Sequence, residues 1–186
     1  MSDNSEIIHG NNIQRMPPPL YGLVLQTASS SVASHRVSQL YRLLDAHCEF
    51  AFLAGRRPAE DLPAAAQFPT IINSTSEADL LQTLLATMRA GPQAAWLVVH
   101  ASMQNMDART IAHLIVNRNP DKWATAYMNG PDGLPNAFCA IYEPAIRARL
   151  VQLAKSGCAS PQDALIQMPE QVELLVPLNP DALAMR

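Results

Sequence analysis

Several residues have the types and spacing for chemistry. Ser29, Ser30 and Ser31 lie on a strand-to-helix turn with His35 close behind, an arrangement open to a serine nucleophile and its base. The G-x-S-x-G nucleophile elbow is missing and no acid is placed by the sequence, so a polar helix-entry loop is the stronger reading. His100 and His113 could share a metal, but a strand-to-helix break separates them and no third ligand stands out. His100 is still the best-placed titratable group, since it ends a strand. Arg56-Arg57 reads as a solvated basic turn. Cys139 falls within a strand as a small core residue, and Cys158 follows a helix-ending glycine with no neighbour to activate it. Met103, Met106 and Met128 are open to two readings, an adaptable surface at the mouth of a site or core filling. Trp96 and Trp123 lie on strands and read as core.

These groups need elements to hold them. Leu20–Leu25 is a short apolar run rich in strand formers. A helical stripe follows over 32–46, then a strand over 49–54 and another over 68–72, with a Pro- and Ala-rich loop between them. Ser76, with Asp79 three residues on, is positioned to cap a helix ending at Gly91-Pro92. Ala95–Val99 is the clearest buried strand, and Asp107 is the N-cap of a helix reaching about Asn117. Strands over 123–128 and 137–142 flank the turn Asn129-Gly-Pro-Asp-Gly133. Pro144 opens a helix to Lys155 with Gly157 beyond its end, and Ser160-Pro161 opens another to about Gln167. A strand over 172–176 and a frayed end over 180–186 complete the chain. Alternating strands and helices imply βαβ units and a mostly parallel sheet covered on both faces. Ligands of such sheets bind beyond the carboxyl ends of the strands, which singles out the loops 26–35 and 100–107.

Composition bounds the rest. The 186 residues are 48% hydrophobic and 16% charged, which suits one domain and excludes global disorder. Residues 1–19 read as a flexible tail or linker closed by Pro17-Pro18-Pro19, and 20–186 as the domain. A formal net charge of −3 argues against nucleic acid as a partner. No apolar run approaches the ~18 residues of a membrane span. Three cysteines without C-x-x-C spacing, together with a polar N-terminus, fit a reducing cytoplasm.

The order of elements, with Ala124-Thr-Ala-Tyr127, Gly133-Leu-Pro135, Cys139-Ala-Ile-Tyr-Glu-Pro144 and Ser160-Pro-Gln-Asp-Ala-Leu165, resembles the molybdenum cofactor guanylyltransferases, the MobA-like NTP transferases. The resemblance covers roughly 20–184 and is strongest over 95–165. It implies a three-layer α/β/α, Rossmann-like fold of the nucleotide-diphospho-sugar-transferase type. It also implies GTP and Mg2+ as ligands of an active member, and transfer of a nucleotide to the phosphate of molybdopterin.

The departures from the family pattern fall on its chemistry. The family's first loop, Leu-Ala-Gly-Gly-x-Ser-x-Arg-Met-Gly with a later Lys, brings backbone N–H groups and cations to the phosphates. Here Gln26, Thr27, Ala28 and Ser29 occupy its start, Val32 the Arg position, Ser34 the second Gly position and Val37 the Lys position, with His35 and Arg36 as partial compensation. The family's metal-holding Asp is replaced by Ser102, a weak ligand for a hard dication. Met185 falls where a C-terminal Asn is expected, and 69–80 offers no convincing Asp for the guanine site.

Joint loss of glycines, cations and metal ligand points to a non-catalytic member with a binding or scaffolding role in molybdenum cofactor assembly. Its partners would be cofactor-biosynthesis proteins or a molybdoenzyme. Two alternatives stay open. One is an active guanylyl- or cytidylyltransferase that uses His35, Arg36, His100 and Ser102, with magnesium on Ser102, Asp107 or substrate oxygens. The other is an oligomer subunit whose old cleft has become a protein interface.

Overall fold

The computed structural model describes residues 16–26, 34–55, 69–72, 80–130 and 132–185. Seven strands form one sheet: β1 (Leu20–Leu25), β2 (Phe50–Gly55), β3 (Thr70–Ile72), β4 (Ala95–His100), β5 (Ala124–Asn129), β6 (Leu134–Tyr142) and β7 (Val172–Leu175). The helices are α1 (Ser34–Asp45), α2 (Leu80–Ala90), α3 (Ala108–Val116), α4 (Arg147–Lys155) and α5 (Pro161–Ile166). The strand order is β3-β2-β1-β4-β6-β5-β7. Only β6 runs against the rest, pairing antiparallel with both β4 and β5. This is the expected three-layer, Rossmann-like α/β/α arrangement with a mostly parallel sheet.

Strand periodicity divides the core. Along β4, Trp96 and Val98 point into one layer, and Ala95, Leu97 and Val99 into the other. The first layer packs beneath α2, α4 and α5; the second packs beneath α1 and α3. All six residues of β4 are buried, which explains the unbroken apolar run that marks it in the sequence. At Gly22 the sheet meets α1 so closely that a Cβ would lie 2.8 Å from Leu44 Cβ.

Local signals behave as their chemistry requires. Asp107 caps α3 by accepting from the Thr110 amide at 2.7 Å, and Ser160 caps α5 by accepting from the Asp163 amide at 3.3 Å. α4 closes with Gly157 at φ +93, where the Gly157 and Cys158 amides donate to the Ala154 and Leu153 carbonyls. The helix expected from Pro144 begins as a 3-10 turn over Pro144–Ile146 and becomes α-helical at Arg147.

Two expectations need correction. The end of the chain is not frayed: Pro180–Leu183 is a 3-10 helix, Ala182 and Leu183 are buried, and Met185 pairs antiparallel with Met103. Hydrophobic burial of a short tertiary contact holds it. β6 begins at Leu134 rather than Ala137, because an irregularity in the β5–β6 ladder lets Met128 face Pro135. Of the two readings open for the methionines, core filling holds for Met103 and Met106, while Met128 is half-buried. The tail 1–15, the segment 27–33, Arg56-Arg57 and the loop to Phe68, and Ser76 and Asp79 lie outside the described residues.

At the amino end of the strands, Arg118 makes a bidentate pair with Glu143 at 2.6 and 2.8 Å and donates to the Pro18 carbonyl at 3.0 Å. This anchors the entry to β1. Among the described residues no helix is long and apolar enough to cross a membrane.

Candidate functional site

The carboxyl ends of β1 and β4 lie side by side, with Leu25 opposite His100. The Ala101 amide donates to the Leu25 carbonyl at 2.9 Å, so the ladder runs one step past β4 before the chain turns. The start of β6 flanks the other side. Three sources therefore build the site: the opening of α1, the turn 100–107 and the residues 134–138.

His100 and Ser102 are both buried and in contact. His100 Nδ1 lies 2.7 Å from Ser102 Oγ, and the Ser102 backbone amide lies 3.2 Å from the same nitrogen. A backbone N–H can only donate, so Nδ1 must accept, and the imidazole proton sits on Nε2. The Phe138 ring meets the imidazole at 5.5 Å between centroids. Burial pushes the His100 pKa below its ordinary value, which favours the neutral ring. The pair is thus a closed, neutral hydrogen-bonded unit in which Ser102 Oγ donates its proton inward.

Arg36, in the first turn of α1, reaches across to the turn after β4. It donates from Nη1 to Gln39 Oε1 at 2.7 Å and from Nη2 to the Met103 carbonyl at 2.6 Å; the Met106 carbonyl lies at 3.5 Å. His35 beside it is exposed, and Gln26 is half-buried with its amide on the Ala54 carbonyl at 2.9 Å. Thr27, Ala28 and Ser29 lie outside the described residues. The structure therefore brings Arg36 and the His100–Ser102 turn together, and leaves His35 on the surface.

His113 is occupied elsewhere. Tyr127 OH donates to the Thr110 carbonyl at 2.8 Å and lies 2.9 Å from His113 Nδ1, with the two rings stacked. Asp107 is committed to its cap, and its carboxyl is held below the usual range chiefly by the Thr110 amide. Among the described residues no group of three His, Cys, Asp or Glu side chains could hold a metal ion. Ser102, buried and donating to an imidazole, carries no charge, and a neutral hydroxyl is a weak ligand for magnesium. The described donors at this end of the sheet do not fit a resident magnesium ion.

Two participants, Asn136 and Gln162, were not singled out in the sequence, and Met185 was singled out only for the Asn that it replaces. Asn136 is buried, and its Oδ1 accepts from the Phe138 and Cys139 amides at 3.0 and 3.1 Å, which caps the start of β6 beside His100. Gln162 Oε1 accepts from the Ala137 amide at 3.1 Å. Met185 completes the turn after β4 through its bridge to Met103.

No family model matches the chain. Over 137 residues it is 26% identical to the molybdenum cofactor biosynthesis bifunctional protein of Synechocystis, covering 68% of this chain and 40% of that protein. It superposes on molybdopterin-guanine dinucleotide biosynthesis protein A from Archaeoglobus fulgidus with a TM-score of 0.63 and 12% identity, covering 83% of each chain. In fold the chain is MobA-like. A nucleotidyl transferase from Methanothermobacter shares the fold as well, at a TM-score of 0.66 and 12% identity, over 90% of this MobA-like chain and 91% of the transferase. The chain spans well under half the length of the Synechocystis relative.

Proposed function

We propose that this MobA-like chain is a non-catalytic binding or scaffolding domain of molybdenum cofactor assembly, acting in the cytoplasm beside cofactor-biosynthesis proteins or a molybdoenzyme. One observation carries the reading. At the position where the family pattern has its metal-holding Asp, Ser102 is buried and donates to the His100 imidazole. Magnesium lowers the barrier to nucleotidyl transfer by bridging and neutralising the phosphates. A neutral hydroxyl supplies a weak ligand and none of the charge of the Asp. Arg36, which could have compensated, spends its Nη donors on Gln39 and the Met103 carbonyl.

The test is titration of the purified chain with GTP and with CTP, each with and without magnesium, alongside an assay for pyrophosphate release in the presence of molybdopterin. The expected outcome is no gain in affinity from magnesium and no release above the blank. Micromolar, magnesium-dependent binding with turnover would establish the guanylyl- or cytidylyltransferase reading instead.

A further inference from the structure

Among the described residues β7 ends the sheet, three places from β4. Its inner side pairs with β5 in a parallel ladder from Val172 to Leu175. The Gln171 carbonyl accepts from the Trp123 amide at 2.8 Å and so faces β5. Backbone groups alternate sides along a strand, so Glu173 and Leu175 turn theirs inward, and Leu174 and Val176 turn theirs out from the sheet. Side chains alternate between the two faces. Val172 is buried in the layer of α2, α4 and α5, and Leu175 packs against the other layer. Leu174 and Val176 share the face of Val172 but lie beyond its cover, 38% and 66% exposed, and Leu178 further on is 51% exposed. From Leu174 to Asn179 the chain carries no charged side chain. Edges that stay in solvent are usually blunted by charges, lysine above all. The nearest carboxylate along the strand, Glu173, accepts from Asn119 Nδ2 at 2.9 Å.

We propose that β7 is a self-pairing edge: a second copy of this chain adds its own β7 antiparallel, about a two-fold axis at Leu175. The edge is complementary to itself in that register. Leu174 of one copy lies opposite Val176 of the other. Both residues turn their backbone groups outward, so they exchange two N–H···O=C bonds, and the symmetry repeats the exchange. Glu173 lies opposite Pro177. Both sit at positions whose backbone faces away from the second copy, so the missing proline N–H loses no bond across the pair. No two like charges meet, because Glu173 faces a proline and the rest of the row is uncharged. The Leu174 and Val176 side chains meet across the axis and extend the apolar layer that holds Val172. A two-fold contact uses up both edges at once, so assembly stops at the dimer. The interface lies on the strand edge and leaves the carboxyl ends of β1 and β4 open.

The test uses the full chain in sedimentation velocity over roughly a hundredfold range of concentration. A reversible monomer–dimer equilibrium is expected. Val176→Lys, at an exposed position, puts two ammonium groups into the interface by symmetry and is expected to weaken dimerisation roughly tenfold or more. An equal mixture of isotope-labelled and unlabelled chains reads the register. Filtered NMR is expected to show contacts between the Leu174 methyls of one copy and the Val176 methyls of the other.

A wild type that stays monomeric throughout overturns the proposal. Contacts from residues 1–15 to Leu174 in that monomer would make the chain's own tail the cover. A dimer of undiminished affinity in Val176→Lys overturns it as well, since the interface would lie elsewhere. A dimer without Leu174–Val176 contacts overturns it even if the Lys variant fails to fold.

Discussion

Acidification should read out the His100–Ser102 pair directly. In the folded chain Nδ1 accepts from Ser102 Oγ at 2.7 Å and from the Ser102 amide at 3.2 Å. Protonation would set an N–H against an N–H and would charge a buried ring. Burial accordingly lowers the pKa, whereas the unfolded chain protonates near the ordinary histidine value of about 6.5. Below that value the unfolded state binds the extra proton and the folded state does not, so stability falls as pH falls. Between about pH 7 and about pH 5.5, a ring that stays neutral in the fold costs about 1.3 kcal/mol. The assay is urea unfolding at the two pH values for the wild type and for His100→Gln. The difference between their slopes isolates His100 from the other four of the five histidines in the chain. Identical slopes would refute the reasoning, as would an NMR spectrum showing the proton on Nδ1.

Other consequences follow from packing. Arg118→Met strands the Glu143 carboxylate, whose side chain is 2% exposed, and should cost on the order of 3 kcal/mol in urea unfolding. Gly22→Ala places a Cβ 2.8 Å from Leu44 Cβ and should lower stability by about 1–3 kcal/mol, where a neutral effect would show that α1 shifts freely. Truncation before Pro180 removes buried Ala182 and Leu183 and should cost on the order of 2 kcal/mol or more in the same assay. A neutral truncation would restore the frayed-end reading.

The elements built on local chemistry were legible in the sequence. Asp107 and Ser160 announced their caps, Gly157 its left-handed turn, and 95–99 its burial, because each signal depends on a few neighbouring residues. The hairpin over 124–142 was legible from its turn, but the insertion of β6 between β4 and β5 was not, since strand order depends on partners far along the chain. Leu183 shows the same limit: one buried leucine in a polar, proline-containing segment carries no periodicity.

At the site, the substitution of Ser102 for an acid was visible, yet its closed bond to His100 was not, because the bond needs the turn geometry after β4. Arg36 illustrates the opposite case. Its position near a phosphate-type loop suggested partial compensation for the missing cations. The structure instead buries it against carbonyls of a turn that lies 67 residues away in sequence.

The most direct test of the account is pyrophosphate release by the purified chain supplied with magnesium, molybdopterin and either GTP or CTP. The expected rate is indistinguishable from the protein-free blank and unchanged in Ser102→Ala. Sustained release above the blank that falls in Ser102→Ala would contradict it, and would place Ser102 in a working active site.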